Sequence, residues 1–324
     1  MCCARRRVRP RSDPRVIQKA KRLARLLLRI LVSAALLGAI LWGLDGAGLG
    51  SRLASADFRW FGLAVLLGIL ANVVSAWRWL IIARHLNLTA SARALLPAYG
   101  KGVTLNTLLP GATLGGDAYR AIALQKLGNP ILKAAASVAL DRLSGLWALF
   151  VLSWFAWLAL LAIPEVPLGA TTRLMHLAAL LAAVLAPFVA RALGEKLPLD
   201  PHRLPARLLR LLAETARLAQ LTFASSLVVQ LATLAALGCA LHAITPTVPL
   251  LYLCAIAAPV FFATALPVSI GGYGTREAAL AAYWLLAGLP VETAVAGALL
   301  HGLAVTLQGA LWAPLFLFDR PRSK

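Results

Sequence analysis

Charge is what this chain has least of. Only 14% of its 324 residues are Asp, Glu, Lys or Arg, against about 25% in an ordinary soluble domain. Acidic residues are scarcest, at 12. A soluble fold of this size needs a polar shell, so the shortage excludes a soluble globular enzyme. A mean hydropathy of +0.80 excludes a disordered or fibrous chain. Four cysteines, in no CxxC and no Cys/His cluster, support neither a metal site nor a disulfide framework. The five histidines are scattered. GxSxG, HExxH, a P-loop and GxGxxG are absent, as are paired carboxylates at metal-ligand spacing. No cofactor is expected, and no catalytic residue is assigned.

What is present is apolar: 60% of the residues are hydrophobic. A helix crossing about 30 Å of hydrocarbon needs about 20 apolar residues. Six stretches satisfy this, at about 26–44, 60–82, 136–162, 174–192, 219–244 and 292–317. Two further apolar regions, 94–127 and 250–289, are broken by Gly and Pro. Irregular backbone persists at membrane depth only where protein or a watery cavity surrounds it. Each broken region is therefore read as a re-entrant hairpin; the alternative makes the second region two spanning helices, eight in all. The expected fold is an all-α polytopic membrane protein with six long transmembrane helices and two hairpins, or with eight spanning helices.

Net charge is +20, and its placement gives orientation. Residues 1–30 hold eleven Lys or Arg against Asp13 alone. The segment 191–217 holds six basic residues and three acids, and the tail ends Arg320, Arg322, Lys324. The loops 45–57 and 245–249 are nearly free of positive charge. Basic loops stay in the cytoplasm, so both termini and this linker are placed there, beneath a bacterial inner membrane. Residues 1–25 form a basic N-terminal segment, 26–317 the membrane domain and 318–324 a tail. Within 193–217, Leu204, Leu208, Leu211 and Leu212 recur at helical spacing between arginines, as on an amphipathic helix at the inner leaflet. The basic excess flanks apolar runs, which favours a lipid surface over nucleic acid.

The chain repeats itself. Gly115-Gly116-Asp117-Ala118-Tyr119-Arg120 stands against Gly271-Gly272-Tyr273-Gly274-Thr275-Arg276, each after a Leu-Pro pair. The offset is 156 residues, and it carries the first three long segments onto the last three. Repeat one covers about 26–162 and repeat two about 174–317. Three long helices per repeat is an odd number, so the second copy enters the membrane inverted if the broken regions are re-entrant. That plan places a binding site between the halves.

The glycines are expected to form a loop after Asn106 whose backbone N–H groups face an anion, with Asp117 capping the next helix. Arg120 and Arg276 suit a phosphate, because the guanidinium donates two parallel hydrogen bonds. Asp141 and Arg142 are ionisable residues early in a long apolar segment. Such residues usually face a cavity or a partner, here Arg142 or a hairpin arginine for Asp141. Glu277 can stabilise a helix N-terminus, pair with an arginine or meet a cationic headgroup. The candidate substrate-binding set is Asn106, Gly115, Gly116, Asp117, Arg120, Asp141, Arg142, Gly271, Gly272, Arg276 and Glu277.

Asn106–Arg120, Ala136–Leu146 (ASVALDRLSGL) and Leu266–Leu280 (LPVSIGGYGTREAAL) together resemble the signature of the lysylphosphatidylglycerol synthase transmembrane-domain family, also called flippase-like. The resemblance extends over about residues 26–317. It implies an integral inner-membrane protein that handles lipid-linked substrates. In the best-understood relatives this domain translocates an aminoacylated phospholipid made by a fused cytoplasmic synthase. This chain is expected to be a stand-alone member without that synthase domain. Such members accompany other lipid pathways, so the resemblance fixes no cargo. The expected function is lipid translocation, with a membrane lipid bearing an anionic or phosphate headgroup as partner. A lipid-synthesising enzyme is a second expected partner. The alternatives are a membrane-embedded transferase acting on phospholipid or polyprenyl phosphate, and a scaffold for a lipid-synthesis complex.

Overall fold

A computed structural model describes residues 31–36, 38, 39, 42, 46–108, 113–161, 169–196, 204–265, 269 and 271–318. Among these every regular element is helical and no strand occurs. A helical stretch over residues 31–36 (α1) leads into α2 (Gly46–Ala54), α3 (Phe58–His85), α4 (Ala92–Leu108), α5 (Thr113–Gln125) and α6 (Ile131–Leu161). The second half holds α7 (Ala170–Lys196), α8 (Leu204–His242), α9 (Leu250–Ala265), α10 (Thr275–Leu286) and α11 (Val291–Trp312). A 3₁₀ turn, Ala313–Phe318, follows.

Five helical segments are long and apolar enough to cross a membrane: Phe58–His85, Ile131–Leu161, Arg173–Gly194, Leu221–His242 and Val291–Leu317. They answer to five of the six expected stretches. The remaining one, 26–44, lies partly outside the described residues, as do the basic segment 1–25, the linker residues 197–203 and the tail from 319. Residues 204–217, read in the sequence as part of a surface linker, form the first turns of α8. Each broken region consists of two short helices: α4 and α5, then α9 and α10.

Local chemistry explains the ends. Asp57 caps α3 by accepting the Arg59 N–H at 2.8 Å. Asn129 ties the start of α6 to the α3–α4 connection, exchanging hydrogen bonds with the Thr89 backbone (2.7 and 2.9 Å). Pro259 interrupts the hydrogen-bond ladder of α9. There the Ser153 hydroxyl of α6 accepts the Ala258 N–H (3.0 Å) and donates to the Cys254 carbonyl (2.9 Å). Such local repair is what allows Pro within a membrane helix.

The largest apolar cluster joins α6 through α11 around a fully buried Trp157. A second joins α3 to α6 around Trp79, Leu80, Leu95 and Leu124. On α7, Met175, Phe188 and Val189 face outward, as expected beside lipid.

Helices α3 and α8, which the sequence offset of 156 residues sets against each other, pack antiparallel along their length. Trp60 meets His242, Ala71 meets Val229 and Ala232, Arg78 reaches Ser226, and His85 reaches Glu214. The other contacts come in exchangeable pairs: α6 packs on α9 as α11 packs on α4, and α6 on α8 as α11 on α3. Likewise α5 lies on α6 as α10 lies on α11.

Candidate functional site: an arginine-lined cavity between the halves

The two Gly-Gly motifs differ in conformation. Gly115 and Gly116 lie inside α5, which begins at Thr113. The expected anion-binding loop with Asp117 as its helix cap is therefore corrected, since Asp117 stands in the second turn. Gly116 is instead a close-approach residue. A Cβ there would run into the Gly102 carbonyl and the Asn106 amide of α4. Asn106 Oδ1 accepts the Gly116 N–H at 2.9 Å, which fastens the two arms. In the second copy, Gly271, Gly272 and Gly274 have φ of 58°, 80° and 86° and form a true turn. Glycine tolerates that left-handed region at no steric cost. Glu277 reaches back to accept the Gly274 N–H, so it caps α10.

Asp141 is fully buried on α6 and holds two arginines. Arg78 Nε donates to Oδ1 at 2.8 Å, and Arg120 Nη2 donates to Oδ2 at 2.6 Å. The hairpin arginine is thus one of its partners, as expected. Arg142 is not, because it turns to Asp117 (2.9 Å from Nη2, 3.1 and 3.3 Å from Nε). Arg78 was not singled out in the sequence. Its guanidinium lies against Gly145, where a Cβ would come within 3.0 Å. Arg120 is also stacked on two rings, 4.3 Å from that of Trp79 and 4.4 Å from that of Tyr99. Its counterpart Arg276 pairs with its own neighbour Glu277 at 2.8 Å and lies over Tyr273. Gly302 of α11 leaves room for Arg276, since a Cβ there would overlap the guanidinium.

These groups surround one cavity of about 360 Å³. Arg120, Arg142, Arg276, Asn106 and Gly271 line it directly, together with Asn72, Gln308 and His301. Gly115, Gly116, Gly272, Asp117, Asp141 and Glu277 do not. Gly115 is exposed, and the other five touch lining residues: Gly116 bonds Asn106, the Gly272 carbonyl accepts the Arg276 N–H, and the three acids pair with the arginines. The wall is drawn from α3, α4, α5, α6, α8, α9, α10 with the turn before it, and α11. Around it, four arginines (78, 120, 142 and 276) exceed three carboxylates (Asp117, Asp141 and Glu277) by one positive charge. Among the described residues, no three His, Cys, Asp or Glu come together as a metal site. The arrangement can bind and screen an anion in a largely apolar surrounding.

Helices, apolar spans and a polar interior cavity define a multi-pass α-helical membrane protein. Residues 26–312 match the family model for the lysylphosphatidylglycerol synthase TM region, and the chain belongs to that family. It is also similar to a protein described as a UPF0104 membrane protein of Pyrococcus horikoshii, with 28% identity over 118 residues. That match covers 36% of this chain and 35% of the relative, so it spans about a third of either length.

Proposed function

We propose that this protein translocates a lipid with a phosphate-bearing headgroup across a bacterial inner membrane, with both termini in the cytoplasm. One observation carries the reading. Arg120 and Arg276, at equivalent places 156 residues apart, line the same cavity. A phosphate entering there meets a guanidinium from each half, while the acyl chains stay in lipid. The inverted-repeat plan is supported by the antiparallel pairing of the equivalent helices α3 and α8. Re-entrant hairpins are supported by arm length. The arms hold 17, 13, 16 and 12 residues. At about 1.5 Å per residue the longest rises only about 26 Å, short of the hydrocarbon core.

The test is reconstitution of the purified chain into liposomes containing phosphatidylglycerol labelled with a reducible fluorophore. Impermeant reductant then reports how fast inner-leaflet lipid becomes exposed. The chain is expected to accelerate that exposure without altering the lipid chemically. Arg276→Lys is expected to slow it by about tenfold or more, because lysine keeps the charge and loses the fork. Arg120→Lys is expected to do the same with some loss of stability, since it also weakens the Asp141 pair. Wild-type rates from the Lys and Ala variants at both positions, at equal reconstitution, would defeat the reading.

A further inference from the structure

The cavity wall carries charge of one sign only. Arg120, Arg142 and Arg276 reach it with His301 beside them, and no carboxylate is among the described residues that line it. The three nearby acids are turned away: Asp141 to Arg78 and Arg120, Asp117 to Arg142, and Glu277 to Arg276 and the α10 N-terminus. Among the described residues, two nitrogens at this wall are buried and have no hydrogen-bond partner. They are Arg120 Nε, in a residue 2% exposed, and His301 Nδ1, in a residue 4% exposed. The remaining polar lining is uncharged. Asn72 donates to Gln308 at 3.1 Å, and Asn106, Thr233 and Thr264 add an amide and two hydroxyl oxygens.

The amides of Asn72, Asn106 and Gln308 can donate and accept, and the Thr233 and Thr264 oxygens can accept while their protons go to the Val229 and Phe261 carbonyls, which together suit a hydroxylated ligand. An ammonium group would meet three guanidiniums and no open carboxylate, and an unpaired buried cation is strongly disfavoured. The volume, about 360 Å³, lies at the small end of the range of about 300–1,000 Å³ for ligand pockets. It suits a headgroup and not a whole lipid. Resting on the reading of this cavity as a headgroup site, we propose that its ligand is a phosphate ester of a polyol or sugar that carries no ammonium group.

Binding to the purified full chain, followed by native mass spectrometry, tests this with four probes: phosphatidylglycerol, phosphatidylserine, lysylphosphatidylglycerol and free sn-glycerol 3-phosphate. The first two carry the same net charge, so the general attraction of a chain of charge +20 cancels between them. Phosphatidylglycerol is expected to bind about tenfold or more tightly than phosphatidylserine, with lysylphosphatidylglycerol weaker still. Arg276→Gln is expected to weaken phosphatidylglycerol by about tenfold or more. Gln308→Leu is expected to narrow the gap between phosphatidylglycerol and phosphatidylserine. Thr264→Val gives a milder version of that test if the first variant fails to fold. Phosphatidylserine or lysylphosphatidylglycerol binding as tightly as phosphatidylglycerol overturns the proposal, as does an unchanged Arg276→Gln. Equal binding of sn-glycerol 3-phosphate and the lipid supports the headgroup class and removes the translocation reading. Translocation that does not discriminate among the lipids removes this proposal and leaves translocation standing.

Discussion

Asp141→Asn is expected to lower both the yield of folded protein and its thermal midpoint in detergent more than any other single polar change. The carboxylate is fully buried and compensates two guanidiniums that are themselves buried, Arg78 and Arg120. Asparagine keeps the shape and one acceptor but removes the charge. Two cations then remain in a low-dielectric interior beside an NH2 group that also donates. Breaking a buried pair by removing one partner costs about 3–5 kcal/mol, a large share of a typical folding free energy of about 5–15 kcal/mol. Adding Arg78→Met to Asp141→Asn is expected to recover part of the loss, because it removes one uncompensated charge. Equal thermal midpoints for wild type and Asp141→Asn would show that the network is not structural.

Gly116→Ala is expected to have the next largest effect. The added methyl has no space, because the atoms it would meet are the Gly102 carbonyl and the Asn106 amide of the facing helix. Backbone on one side cannot move without shifting α4 from α5, and overpacking of this kind costs about 1–3 kcal/mol. Arg120 lies one turn further along α5, so the shift also draws its guanidinium from Asp141. Gly62→Ala is the control. Nothing lies within 4 Å of a Cβ at that position, and the change is expected to leave the midpoint unmoved. A Gly116→Ala protein as stable as the Gly62→Ala protein would mean that the α4–α5 crossing is looser than described.

The long helices were legible because apolar runs of membrane length admit few other structures. Arg120 and Arg276 were legible through the repeat: neither Gly-Gly-x-x-x-Arg motif is informative alone, but both at one offset are. Asp141 stood out as a carboxylate in an apolar segment that needed a partner. The partner Arg78 did not, because it lies near the end of an apolar run between Trp77 and Trp79 and reads as an interfacial anchor. The two tryptophans in fact point opposite ways, Trp77 exposed and Trp79 fully buried. Asn72, His301 and Gln308 were passed over as isolated polar residues. The spacing of seven between His301 and Gln308 puts both on one face of α11 and was the available signal. Gly115-Gly116 was misread because glycine serves two purposes in membrane proteins. It permits turns, and it lets helix backbones touch.

The two halves are not interchangeable in how they are tethered. Sliding α5 past α6 would tear Arg120 from a carboxylate on a different helix, with Arg78 of α3 bound to the same group. Sliding α10 past α11 would break no such bond, since Arg276 travels with Glu277 on its own helix. Among the described residues, what joins the second turn to α11 is the hydrogen bond between the Tyr273 and Thr306 hydroxyls, at 2.9 Å. Charge therefore locks α5 to α6 and α3, whereas α10 is held on α11 by apolar packing of Leu280 and Trp284 against Ala294 and Ala298 and by hydroxyl contact.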